Sequence, residues 1–400
     1  NSNGLKMTQS TFISERIASL AEDAKSQQLD DETRAAALNA ARDLVAALES
    51  PVERILQDVV LNSPILMALR MGVQLGIFSQ VSQNPEKGVS CDDISESSEA
   101  SPILVAQVLR VLAATGYIKQ QDEQFKPSAL AMVMADPTIE ATTRACFDIG
   151  NVCTMKAPEF FRQNNNKFPD SITNTPFQLG IGTDLTYFAW LGQNPDLARD
   201  FQQWMTLKQR ASPNWIDWFD IQGCIIDGAE SQSSTSVLFV DVGGGEGSYM
   251  KQFQESFPGA SGRLILQDLP HVISGIENPP TNVELESHDF FAPQSIQGAR
   301  AYFMHWILHD WSDEHCRSIL THIVDAMKPG YSRLIIHEHI LRDSGCDIPS
   351  ACMSVMMMVQ VAALERSEKH WRDLLGSVGL QNVKFHQPPG TGEGIIEATK

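Results

Sequence analysis

No stretch of this 400-residue sequence approaches 18 uninterrupted apolar residues, which excludes a membrane-spanning helix. Basic residues are scarce: 30 Lys and Arg stand against 49 Asp and Glu, a formal net charge of −19. A surface with that excess repels phosphate backbones and anionic headgroups, so neither nucleic acid nor membrane is an expected partner. The seven cysteines are odd in number and scattered, with no CxxC pair. That argues against a disulfide framework or a structural zinc site and predicts a reducing, cytoplasmic setting. Residues 1–10 lack the charged-then-apolar layout of a secretory leader, and residues 1–6 read as a remnant ahead of a start at Met7. The first 270 residues contain no histidine, so any imidazole base must come from the end of the chain.

What is present is an ordinary globular composition, 42% hydrophobic and 20% charged, over a length that suits two to three domains. Residues 11–60 read as helix, with Ala35, Leu38, Leu44, Val45 and Leu48 near helical spacing and Pro51 as punctuation. That Ala-rich stripe suits packing on another helix, of this chain or of a second subunit. From Val59 to Pro137 the pattern is helix, helix, helix, hairpin, as in a winged helix: Ile65–Leu75, 94–98 and 102–115, then 117–119 paired with 125–126. The third helix carries only one basic residue, Arg110, so a structural or dimerising role is expected for this unit. Residues 138–230 look helical and rich in aromatics, including Tyr187, Phe188, Phe201, Trp204 and Trp215. Such density builds a core or walls a pocket for a flat apolar ligand. The expected domains are therefore 1–137, a helical connector 138–230 and an α/β domain 231–400.

In that last domain short apolar strands at 237–240, 264–266, 301–306 and 334–336 alternate with helices at 248–256, 314–327 and 369–376. The alternation predicts a doubly wound parallel sheet of the Rossmann-like type. Its first turn holds Gly243, Gly245 and Gly247 in GxGxG spacing, not the GxGxxG of dinucleotide binders. Asp268 ends the second strand, where a carboxylate can accept both hydroxyls of a ribose. Asp289 and Phe290 follow a third short strand and suit an amino-purine edge and face. An acidic surround suits a cationic ligand such as the sulfonium of S-adenosylmethionine, whereas a pyrophosphate prefers the opposite sign.

The densest histidine run spans His305 to His315. His305, His309, Asp310 and His315 could be metal ligands, but a strand and the turn after it would aim them in different directions. A general base fits better: His309 sits where a strand meets the next helix, and Glu338 and Glu365 occupy comparable strand ends. The alternative is that these glutamates only pair with Arg342 or Arg366.

Asp241-Val-Gly-Gly-Gly-Glu-Gly247, Leu266-Gln-Asp268-Leu-Pro270, His288-Asp-Phe290, His309-Asp-Trp-Ser-Asp-Glu-His-Cys316, Glu338 and Leu364-Glu-Arg-Ser367 together resemble the S-adenosylmethionine-dependent O-methyltransferases of the caffeate/flavonoid type. Pro176-Phe-Gln-Leu-Gly-Ile-Gly-Thr-Asp-Leu185 is similar to the fungal polyketide-tailoring branch. The resemblance spans nearly the whole chain. It implies a homodimer formed through the N-terminal winged-helix domain. It also implies that S-adenosylmethionine is held by Asp241, Gly243, Gly244, Gly245, Gly247, Asp268, Leu269, Asp289, Phe290, Met205 and His305, with S-adenosylhomocysteine as product. Plant members often have lysine where this chain has His305. His309 is implied as base, with Glu338 and Glu365 flanking and orienting it. Phe201, Met205, Met353, Met357 and Asp310 are implied for the acceptor, an aromatic or polyketide small molecule with a phenolic or enolic hydroxyl. No metal is expected. Some fungal relatives bind the donor yet catalyse pericyclic reactions, which leaves a pericyclase or cyclase as the alternative.

Overall fold

Helix-start chemistry sets the N-terminal segments. Asp30 accepts a hydrogen bond from the Thr33 amide at 2.7 Å and opens the helix Asp31–Leu48. Ser50 and Glu53 form a reciprocal capping box, with Pro51 in the first turn of Pro51–Leu56. The computed structural model describes residues 2–26, 29–211, 213–229, 236–388 and 392–400. It divides into two units, Asn1–Pro64 and Ile65–Lys400. In the first unit Leu38, Leu44, Val45, Leu48, Ile55 and Val59 are all exposed, so among the described residues these positions of the apolar stripe are uncovered.

The second unit holds the expected helices, over 65–74, 91–98 and 102–114, and the hairpin, together with one further helix, Ile77–Gln83, that the sequence reading left out. Ile77–Gln83, Cys91–Ser98 and Pro102–Ala114 lead into strands β2 (Ile118–Gln121) and β3 (Gln124–Pro127), and β1 (Val89–Ser90) completes a three-stranded sheet. Phe78, Ile94, Leu109, Leu112 and Ile118 fill its core. The aromatic region divides as its composition allowed. Phe160, Phe177 and Trp215 are buried core, while Tyr187, Phe188, Phe201 and Trp204 face a cavity.

Seven strands build the α/β sheet: β4 (Val237–Val242), β5 (Arg263–Asp268), β6 (Glu284–Ser287), β7 (Ala301–His305), β8 (Arg333–Glu338), β11 (Gln381–His386) and β12 (Gly394–Thr399). Their order is β11-β12-β8-β7-β4-β5-β6. β12 is antiparallel to both β8 and β11, so one strand reverses an otherwise parallel sheet. The sheet is therefore mixed, and its last two strands were absent from the sequence reading. The helices Asp313–Ala326 and Glu368–Ser377 cover one face through Ile319, Leu320, Ile323, Trp371 and Leu375. Trp215, Phe253 and Phe303 occupy the other core. All six residues of β4 are buried, the signature of a central strand covered on both sides. A small parallel pair, β9 (Ile340–Leu341) with β10 (Arg366–Ser367), brings residues 365–366 beside the end of β8. The carboxyl ends of β4, β5, β7 and β8 thus present Asp241, Asp268, His305 and Glu338 along one edge, the edge at which open α/β sheets bind ligands.

Candidate active site

The turn after β4 is built around a buried carboxylate. A methyl-sized side chain at Gly244 would lie 2.4 Å from both Asp241 Cγ and Leu266 Cδ1, so only glycine lets the backbone pass so close. Gly247 takes φ +80° and starts the helix Ser248–Ser256. Asp241 is fully buried and its Oδ2 has no hydrogen-bond partner among the described residues. Burial, reinforced by the charge of Asp268, pushes its pKa up to about 7. Asp268 secures the turn, because its Oδ2 accepts the Gly245 amide at 2.8 Å and its Oδ1 accepts the Leu269 amide at 2.7 Å. Each oxygen keeps a further lone pair for a ribose hydroxyl. Phe290 lies 3.7 Å from the position a Gly243 Cβ would occupy, and Asp289 accepts the Phe291 amide at 3.0 Å.

The turn after β7 holds a buried histidine among carboxylates. His309 is 6% exposed, and its Nδ1 lies 2.8 Å from Glu365 Oε1. Its Nε2 lies 3.6 Å from Asp310 Oδ1. Burial disfavours the charged ring, but Glu365, Asp310 and Glu338 together outweigh it and push the pKa up to about 9. Burial opposes ionisation of Glu365 too, yet the partnership with His309 holds it below its ordinary value. Asp310 is pushed up to about 6 by burial.

Glu338 does not orient the ring directly. Its Oε1 accepts the backbone amides of Ile307, Leu308 and His309 at 3.2, 2.7 and 3.3 Å. This corrects the expectation of two glutamates flanking the imidazole: one holds the ring, the other the turn beneath it. Burial raises the Glu338 pKa to about 7.

One cavity joins the two turns. One side of it is formed by Asp241, Gly243, Gly244, Gly245 and His305, and the other by His309 and Asp310. Phe201 and Met205 enter from the helix Pro195–Ala211, and Met353 and Met357 from Ile348–Val361. Gly247, Asp268, Leu269, Asp289, Phe290, Glu338 and Glu365 do not line it; they lie behind or beside the lining, and Leu269 is exposed. Of the four metal-ligand candidates, His309 and Asp310 stay together on the cavity wall, while His305 and His315 turn to other partners. His305 Nε2 meets Tyr249 Oη at 3.0 Å, His309 meets Glu365, and His315 Nδ1 meets Ser312 Oγ at 2.8 Å.

Sequence reasoning missed a polar cluster on the same cavity. Lys208 Nζ sits 3.7 Å above the Trp306 ring and 3.6 Å from Glu393 Oε1, which in turn lies 3.3 Å from His339 Nε2. Burial lowers the Lys208 pKa against the pull of Glu393. Burial also pushes His337 down to about 4 and His305 well below the ordinary range, so both are neutral imidazoles at pH 7. Lys208 was legible in principle: Phe201, Trp204, Met205 and Lys208 follow the i, i+3, i+4, i+7 spacing of one helix face.

These features fit a molecule with a ribose, an aminopurine and an amino-acid cation. The orphaned Asp241 carboxylate matches a buried ammonium, and the glycine turn leaves no Cβ in the way. Comparison with known proteins agrees. Residues 228–381 match the family model described as an O-methyltransferase domain. The O-methyltransferase mfmE of Annulohypoxylon moriforme is 33% identical over 397 residues, 99% of this chain and 97% of that protein. The demethylsterigmatocystin 6-O-methyltransferase of Aspergillus parasiticus is 32% identical over 346 residues, 85% of this chain and 88% of its own. Among solved structures, LepI in complex with S-adenosylmethionine superposes with a TM-score of 0.84 at 26% identity, covering 99% of this chain and all of that one. A second match, titled a pericyclic reaction enzyme, has TM-score 0.84 at 27% identity over 98% of this chain and 100% of its own. By fold, by glycine turn and by full-length likeness, this chain belongs to the S-adenosylmethionine-dependent O-methyltransferases.

Proposed function

We propose that this protein methylates a phenolic or enolic hydroxyl of a flat, largely apolar secondary metabolite, with His309 as the general base. The observation that carries the reading is the buried His309–Glu365 pair at 2.8 Å on the wall of the donor cavity. With Nδ1 committed to Glu365, Nε2 is the nitrogen left to take the acceptor's proton. When bound, S-adenosylmethionine supplies an electrophilic methyl on its sulfonium. The residues of this chain bind and align: Asp241 faces the ammonium, Asp268 the ribose, Asp289 and Phe290 the purine. Alignment of two bound reactants is worth about 7–11 kcal/mol of barrier. Phe201, Tyr187, Phe188 and Trp204 pack edge to face, with centroids 5.3–5.7 Å apart, and offer ring surfaces to a planar acceptor. Met353 and Met357 close the other side and adapt to its outline.

A second reading is supported by the likeness to the structure titled a pericyclic reaction enzyme and by the raised His309 pKa. A ring that stays protonated can serve as a fixed acid in a pericyclic reaction while the donor remains intact. Incubation with methyl-deuterated S-adenosylmethionine and a panel of phenolic and enolic polyketides and alkaloids separates the two. Labelled product with S-adenosylhomocysteine supports methyl transfer, and unlabelled isomerised product supports the pericyclase. Under the first reading His309→Gln abolishes label transfer, and full retention refutes the base assignment.

We also infer a cytoplasmic homodimer, with residues 1–137 as the dimerising domain, 138–230 as a connector that walls the acceptor and 231–400 as the donor domain. The exposed Leu38, Leu44, Val45 and Leu48 supply apolar surface for a second copy. All seven cysteines are unpaired, which suits a reducing compartment.

A further inference from the structure

The turn that carries His309 is held from two sides. Glu338 accepts three of its backbone amides, as described above. Its carbonyls are held by Arg366, the residue after Glu365. Arg366 Nη1 donates to Leu308 O at 2.9 Å and Nη2 to Trp311 O at 2.8 Å. Its Nε donates to Asp313 Oδ1 at 3.0 Å, and Nη2 also reaches Cys316 Sγ at 3.4 Å. Asp313 is steadied by His370 Nε2 at 2.7 Å. The guanidinium is 1% exposed and lies over Trp371. A buried cation requires partners, and every hydrogen-bond partner named here for the guanidinium belongs to residues 308–316. Successive residues of an extended segment point to opposite sides. Glu365 therefore grips the imidazole while Arg366 grips the backbone that bears it.

We propose that Arg366 is the positioning residue that presents His309 to the acceptor, fixing the carbonyl side of the turn whose amide side Glu338 fixes. It does not touch the cavity, so it acts through the placement of His309 and not on either reactant. The proposal rests on the reading of His309 as the base. Only the planar fork of arginine spans two carbonyls and a carboxylate at once; lysine keeps the charge but not the fork. Arg366→Lys thus changes geometry at constant charge.

The test is a histidine-selective ¹⁵N NMR titration of the full-length protein with S-adenosylhomocysteine, His309 being assigned from the signal missing in His309→Gln. In Arg366→Lys the looser turn lengthens the Nδ1 contact with Glu365, and His309 titrates at least about one unit lower. Turnover on an acceptor found in the panel above falls about 10–100-fold, the scale of an ångström-sized misplacement. Affinity for S-adenosylhomocysteine stays within about twofold. A folded Arg366→Lys protein with an unchanged His309 titration and turnover within about twofold overturns the proposal. So does a turnover loss matched by an equal loss of donor affinity. Should Arg366→Lys fail to melt cooperatively, Asp313→Asn decides, since the Asp313 side chain is 37% exposed and the substitution keeps its shape. A smaller shift in the same direction supports the proposal, and none overturns it. If His309→Gln itself retains full methyl transfer, the base reading fails. An inactive His309→Gln beside an unaffected Arg366→Lys refutes the positioning role alone.

Discussion

Replacing Glu365 with glutamine isolates the interaction that makes His309 basic. In the native protein Nδ1 and Oε1 stand 2.8 Å apart, both groups are buried, and the ring titrates at about 9. At neutral pH the pair is therefore imidazolium and carboxylate, and the proton-accepting form of His309 grows as pH rises toward 9. A hydrogen bond to a charged group contributes about 1.5–3 kcal/mol. At about 1.36 kcal/mol per unit, loss of that charge lowers the His309 pKa by roughly one to two units, to about 7–8. The acid limb of the rate–pH profile moves down by the same amount. The plateau falls as well, because an amide no longer holds the Nδ1–H tautomer. An amide in place of the carboxylate beside a histidine base has cost about 10⁴ in turnover in a serine protease, and about 10²–10⁴ is expected here. S-adenosylhomocysteine formation, followed from pH 6 to 10 at saturating acceptor, reads both quantities. A limb that stays in place with a plateau within about threefold of native refutes the argument.

Other perturbations test the donor side and the fold. Gly244→Ala forces a methyl to within 2.4 Å of Asp241 and Leu266; overpacking of about 1–3 kcal/mol weakens S-adenosylhomocysteine binding roughly 5–150-fold, measured by calorimetry. Binding should release protons: the ammonium shared by donor and product lowers the pKa of Asp241 (about 7), so the affinity of both rises between about pH 6 and 8. The sulfonium alone lowers that of His309 (about 9), so calorimetry in buffers of different ionisation enthalpy at about pH 8 to 9 shows more release for S-adenosylmethionine than for its thioether product. Equal release by both ligands contradicts this. For stability the raised His309 pKa has a definite sign. Its contribution, up to about 3 kcal/mol, is fully present below about pH 6.5 and is lost as pH rises through about 9. Thermal unfolding of His309→Gln should therefore be flatter between about pH 7 and 9 than that of the native protein.

The sequence by itself determined the elements whose signals are local. The glycine turn and Asp268 were legible because each stands at the carboxyl end of an apolar strand, and His309 and Asp289 because each follows a strand end; such ends share one edge of a parallel sheet. Helix starts at Ser50 and Ser90 and the hairpin at 118–127 follow from caps and turns within a few residues. Tertiary structure decided what depends on partners far along the chain. Glu365 reaches His309 across 56 positions and Glu338 reaches its amide across 29, so their division of labour follows from the pairing of β9, just beyond β8 in the chain, with β10. The reversal of β12 between β8 and β11 left no mark in the strand–helix alternation, since an antiparallel pair needs no crossover helix. Arg366 and Lys208 are ordinary cations in the sequence. Burial among named carbonyls and carboxylates is what makes each specific, and burial is a property of the packed chain alone.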